Sequence, residues 1–174
     1  LFDKLLNNYP LAKEENEKAH EYFSFLEHPY VIAIIGFSNK NDRVQHVLNV
    51  MCEELVRDNL KEAEFIHTVF IKQLIVVIRI DECDFDKLRN TLNSILMYFR
   101  SKAGVSASVA VSSKGVGLED ISKCYTQAHD LLRVLMADEE NTVAFYCDSQ
   151  GLANYVDIST IQKLHEMLIS GDKE

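Results

Sequence analysis

Apolar residues along this chain change period several times, and each change marks an element. In "LAKEENEKAHEYFSFLEHP", Ala12, Ala19, Phe23 and Leu26 recur at helical spacing, and Pro29 closes the stretch. "YVIAIIGF" then runs without a polar residue and predicts a short buried strand. "NDRVQHVLNVMCEELVRDNL" returns to the helical period, with Val44, Val47, Leu48, Met51 and Leu55 on its expected inner face. The most apolar part follows. "EFIHTVFIKQLIVVIRI" would be apolar nearly all round as a helix, and its residues are mostly β-branched or aromatic. The polar pair Lys72-Gln73 interrupts it, so two strands joined by a turn at that pair is the better reading, although Lys-Gln is poor turn chemistry.

The acidic segment "DECDFDK" opens another helix, whose inner stripe is Phe85, Leu88, Leu92, Ile95, Leu96 and Phe99, with Gly104 beyond its end. Asp84 and Asp86 read as groups that favour the helix dipole; the spacing of a calcium loop is absent. "GVSASVAVSS" predicts a strand, and "KGVG" a loop. A helix follows with Leu118, Ile121, Tyr125, Ala128, Leu132 and Leu135 inward, and "NTVAFYCD" is a last strand. Ser159-Thr160-Ile161-Gln162 looks like a capping box for a final helix carrying Ile161, Leu164 and Leu168.

After the first helix the order is β-α-β-β-α-β-α-β. This predicts an α/β (α+β) fold with one mixed sheet of about five strands covered by helices, close to a ferredoxin-like arrangement with an extra αβ unit. Three segments are expected: an N-terminal connector helix (1–28), the sheet domain (29–150) and a C-terminal linker helix (151–174).

Composition narrows the function classes. The chain has 174 residues, 47% hydrophobic and 26% charged, which suits one globular domain with appended helices. A net charge of −9 argues against gripping phosphate backbones. No apolar run approaches a membrane span, so no membrane contact is expected. A start without Met and a charged tail point to a piece of a longer protein. The four cysteines, at 52, 83, 124 and 147, are widely spaced and form no Cys-x-x-Cys. Cys52 and Cys124 fall on helical patterns as small apolar filler, and a reducing cytoplasm fits. The six histidines show no metal-type spacing. Ser112-Ser113-Lys114-Gly115 reads as an ordinary strand-to-helix turn rather than an anion-binding nest, since the phosphate-loop pattern is absent.

The element order, with a hairpin between the second and third strands, resembles GGDEF domains, which make cyclic di-GMP from two GTP molecules. In "FSNKNDRVQH", Phe37, Asn41, Asp42 and His46 fall at the offsets of the family's "DxDxFKxxNDxxGH". "AHDLLRVLM" lies where the family has "ADxALYxAK", with Ala128 and Leu132 retained. The closer resemblance is to degenerate GGDEF-like domains of bacterial AraC-type transcription regulators. It is carried by Ser112-Ser113, by "CYTQAHDLL", by "NTVAFYCD" and by "LHEMLISGDKE", similar to a linker helix.

The family's catalytic pattern is not kept. A cyclase needs carboxylates to hold magnesium on the GTP phosphates. By the resemblance, its metal-side aspartates fall on Ala33 and Ile35, and its Gly-Gly-acid-Glu-Phe turn on Phe70, Ile71, Lys72, Gln73 and Leu74. Its base-recognising Asp falls on Val50, its helix Lys on Met136, and its inhibitory Arg-x-x-Asp on Lys61 to Glu64.

The resemblance therefore implies a non-catalytic regulatory or signal-relay module of an AraC-type regulator, cytoplasmic, with no cofactor or metal. DNA would be bound only through a helix-turn-helix domain outside this piece, and a homodimer could form through the terminal helices. The alternative is a small-molecule or nucleotide sensor on a remnant nucleotide face made by Phe37, Asn41, Asp42 and His46. An active diguanylate cyclase is the least favoured reading.

Overall fold

The computed structural model describes residues 1–38, 42–61, 63–70, 72–80, 85–137 and 141–149, with the side chains of 42, 43, 148 and 149 outside that description. Two short helices come first, α1 (Phe2–Leu6) and α2 (Lys13–Tyr22), then a 3-10 turn at Ser24–Glu27. Strand β1 (Tyr30–Phe37) leads to α3 (Asp42–Asn59), then to the hairpin of β2 (Phe65–Phe70) and β3 (Gln73–Arg79). Helix α4 (Phe85–Tyr98) continues into a π-helical turn, Phe99–Ala103, which stops at Gly104 with φ +62°. β4 (Ala107–Val111), α5 (Ile121–Ala137), β5 (Val143–Phe145) and α6 (Tyr146–Ser149) complete the order.

The strands form one sheet in the order β2-β3-β1-β4-β5. β1 pairs antiparallel with β3 and β4, β2 pairs antiparallel with β3, and β5 runs parallel to β4. The first four strands make the ferredoxin-like core. α5 carries the chain back along the sheet, so the strand after it must be parallel to β4. The mixed sheet and its helical cover are those the sequence predicts.

β1 is buried along its whole length, and its alternation divides the core into two layers. Val31, Ala33, Ile35 and Phe37 join the layer under α3 and α4, with Leu48, Cys52, Val56, Leu88, Leu92 and Phe99. Tyr30, Ile32 and Ile34 join the layer under α5 and the N-terminal segment, with Leu6, Leu26, Ala128 and Leu132. A side chain at Gly36 would meet Leu132 at 3.1 Å and Met136 at 3.3 Å, so this glycine lets α5 lie close to the strand. The N-terminal segment shares the core rather than standing apart. Leu5, Leu6, Ala19, Phe25 and Leu26 are all buried, and Lys4 bridges α1 to Glu15 of α2 at 2.6 Å. The hydrogen bonds from Lys4 and the Ala12 amide hold the Glu15 carboxyl below its ordinary pKa.

Four details differ from the sequence reading. α1 has too short an apolar pattern to be seen in advance. On α3, Leu48 is buried with Cys52 and Val56, but Met51 and Leu55 are half-buried and Val44 and Val47 are exposed. The inward places go to Gln45 and Asn49, whose amides find a backbone partner there. The hairpin pairs Phe70 with Gln73, so Gln73 begins β3 and Lys72, not Lys72-Gln73, belongs to the turn. Finally, the last strand stops at Phe145 because the chain turns into α6 at Tyr146. The expected final helix at 159–170, Cys83 and Asp84 lie outside the described residues. Among the described residues no helix is long and apolar enough to cross a membrane.

The packing predicts a contrast between two apolar positions. Leu132→Ala, in the fully buried seam of α5, should cost about 2–5 kcal/mol in urea unfolding, whereas Met97→Ala, 70% exposed on α4, should change it by less than about 0.5 kcal/mol.

Candidate functional site

The end of β1, the first turns of α3 and the β2–β3 turn converge, because side chains of α3 reach the hairpin. Gln45 Nε2 donates to the Lys72 carbonyl oxygen at 2.8 Å, and Asn49 Nδ2 approaches the same oxygen at 3.5 Å. Gln45 and Asn49 stand four residues apart, on one face of the helix, and both are buried. Asn49 Oδ1 is buried with no hydrogen-bond partner among the described residues. Lys72 itself is exposed and holds φ +65°, a left-handed conformation that favours glycine. The amides thus fasten a turn whose backbone carries an unfavourable side chain. Sequence reasoning missed this pair. Two polar residues four apart were the available signal, hidden by the valines beside them.

The predicted face residues do not form one cluster. Phe37 is buried, with its ring against Phe99 at 4.9 Å between centroids and 72° between planes. That edge-to-face contact makes it part of the core. His46 is exposed on α3. Asn41 and the side chain of Asp42 lie outside the described residues.

The other positions singled out by the resemblance sit as follows. Ala33 and Ile35 are fully buried beneath α3 and α4. Neither side chain carries an atom that could ligate a metal. Leu74 is buried in β3, Val50 is 43% exposed, and Met136 packs toward Gly36. Lys61 lies 3.8 Å from Asp58, and the Glu64 carboxylate accepts from Arg79 at 3.1 Å. Among the described residues no three His, Cys, Asp or Glu side chains are grouped to hold a metal ion.

The loop after β4 is satisfied from within. Ser112 Oγ accepts from the Ile32 amide at 2.9 Å and donates to the Ser113 carbonyl oxygen at 2.8 Å. Gln127 Oε1 accepts from both the amide and the hydroxyl of Ser113, at 3.2 and 2.6 Å. The amides of Gly115, Val116 and Gly117 donate to Tyr30 O, Asp120 Oδ2 and Leu26 O. An anion would have to displace these partners, so the loop is the ordinary strand-to-helix turn the sequence suggests. Tyr30 closes it by donating from its hydroxyl to the Gly117 carbonyl at 2.9 Å, and burial raises that phenol's pKa. The resemblance motifs Ser112-Ser113 and "CYTQAHDLL" are therefore joined in space, through Ser113 and Gln127.

Cys52 and Cys124 are buried, as their helical pattern suggests, and Cys147 is exposed. Burial pushes the Cys52 thiol up to about 12 and raises that of Cys124. Neither is poised as a nucleophile near neutral pH.

A family model described as a GGDEF-like domain matches residues 14–134, from α2 through most of α5. Neither the curated proteins nor the solved structures give a match.

The turn geometry yields a direct test. Lys72→Gly should stabilise the fold by about 0.5–1 kcal/mol, since a left-handed residue with a side chain costs roughly 1–2 kcal/mol and glycine loses part of that gain to chain entropy. Asn49→Ala should change stability by less than about 1 kcal/mol, because its long contact and its unpartnered oxygen offset one another. Denaturant titration of the two variants checks both.

Proposed function

The chain belongs to the GGDEF-like domain family, and we propose that within it this domain is a non-catalytic regulatory module. The observation that carries this reading is the burial of Ala33 and Ile35. The places where a cyclase would present metal-binding carboxylates are apolar, and they lie inside the core beneath α3 and α4. The hairpin agrees with it. Lys72 stands where an acidic ligand would be, and a cation cannot ligate magnesium. Bulky residues stand where glycines would let phosphate approach the backbone. One lost ligand could be replaced from elsewhere, but the loss of both carboxylates removes the means of holding the metal that offsets charge in phosphoryl transfer, and the loss of both glycines removes the close backbone approach to phosphate.

The finer reading is a signal-relay domain of an AraC-type transcription regulator. Its support is the resemblance of Ser112-Ser113, Tyr125 through Leu132 and "LHEMLISGDKE" to such regulators, together with an acidic charge that leaves DNA contact to another domain. The nucleotide-sensor alternative draws on Phe37, Asn41, Asp42 and His46. Phe37 is engaged with Phe99, which leaves that reading with less support.

Calorimetry against GTP, ATP and cyclic di-GMP, each with and without magnesium, should give no binding heat, and GTP should not be turned over. Turnover would overturn the non-catalytic reading, and saturable nucleotide binding would favour the sensor. Two helix-turn-helix patterns in the gene downstream of Glu174 are expected for the regulator; an open reading frame without them would remove that finer reading.

A further inference from the structure

The sheet has two edges, and they are built differently. β5 spans Val143–Phe145 and turns at once into α6, so it offers little backbone. β2 spans Phe65–Phe70, keeps unbroken register with β3, and contains neither proline nor a Lys, Arg, Asp or Glu. Natural edge strands are commonly blunted by such residues or by a bulge. β2 has none of these devices, and Val69 on it is 49% exposed.

The ladder says which backbone groups are open. The Arg79 amide donates to the Glu64 carbonyl oxygen, so Glu64 and Arg79 form a hydrogen-bonded pair of the antiparallel ladder. Counting by twos, Ile66, Thr68 and Phe70 spend their backbone groups on β3, while Phe65, His67 and Val69 direct theirs to the open side. Among the described residues no strand lies there.

We propose that this edge recognises itself: two copies pair antiparallel through β2 about a two-fold axis at Thr68, joining two five-stranded sheets into one. The sequence of the strand favours a second copy over another occupant. A two-fold axis normal to the sheet keeps each face continuous, so residues facing each other must belong to the same face of β2. With Thr68 on the axis, it meets Thr68 of the second copy, and Ile66 meets Phe70. On the opposite face His67 meets Val69, and these two supply reciprocal backbone hydrogen bonds. His67 is steadied by Glu53 of α3 at 2.9 Å. Beyond the strand ends, Glu64 of each copy, whose carboxylate already accepts from Arg79 of its own chain, comes opposite Lys72 of the other, so the register sets opposite charges together at both ends. The neighbouring register, centred on His67, would instead set two imidazoles against each other and lose that match. The interface differs from the helix pairing suggested by the sequence, and it stands independently of the regulatory reading.

Sedimentation equilibrium of the whole chain at micromolar concentrations should show a reversible dimer. Val69→Pro removes an outward amide without touching the β3 ladder, and Val69→Lys adds an edge charge. Each should raise the dissociation constant by about tenfold or more. If Val69→Pro loses its circular dichroism spectrum, Val69→Lys decides. In a chain with Cys83 and Cys147 changed to Ser, Thr68→Cys should cross-link across the axis in a mild thiol–disulfide buffer, because facing residues of a non-hydrogen-bonded pair lie within disulfide reach. Asn90→Cys, exposed on α4, should not. A wild type that stays monomeric, a dimer unmoved by Val69→Lys, or a Thr68→Cys chain that cross-links no better than Asn90→Cys would overturn the proposal.

Discussion

Every side chain of β1 is buried, and the strand lies between β3 and β4 with helices over both faces. A strand so placed can carry no unpaired polar atom without a cost of order 1–3 kcal/mol for each, and more for a charge. Tyr30 meets that condition by bonding Gly117, and the rest of the strand is aliphatic apart from Gly36 and Phe37. Gly36 then sets how closely α5 can approach, and Phe37 sets the contact with Phe99. The two layers of the core, the seat of the N-terminal helices and the path of α5 are arranged around this one strand.

The same constraint governs what the positions singled out by the resemblance can do chemically. A carboxylate at the end of a first strand needs water or a metal nearby. Ala33 and Ile35 are fully buried among apolar side chains and fill space under α3 and α4. The hairpin is held by a different kind of force from the one a nucleotide-binding turn would use. Its carbonyl is fastened by Gln45 from α3, and its backbone adopts a left-handed conformation at a lysine. The loop after β4 spends its amides on the protein itself. Both regions are held by contacts within the chain.

Much of this was legible in the sequence, for physical reasons. Period-two and period-3.6 apolar patterns gave the strands and long helices, since each element buries one face or both. The stripe of α4 was right because nothing polar competes for its inner face. The stripe of α3 was partly wrong because Gln45 and Asn49 turn inward to a hairpin carbonyl 23 or more residues away, which periodicity cannot register. The polar pair Lys72-Gln73 marks the turn in the sequence, but ladder register pairs Gln73 with Phe70 and so assigns it to β3. α1 escaped notice because five residues carry too little pattern. Of the candidate face, the sequence identified Phe37 by a motif offset. Its ring packs on Phe99, which arrives from the π-helical turn that follows α4.

The central claim is that the first-strand position of a metal-binding carboxylate has become core. Placing a carboxylate there tests it most directly. Ala33→Asp should lose more than about 3 kcal/mol of stability in urea unfolding, as expected for an unpaired buried charge, and magnesium with GTP should restore none of it. An Ala33→Asp chain as stable as the wild type, and further stabilised by magnesium and GTP, would contradict the account.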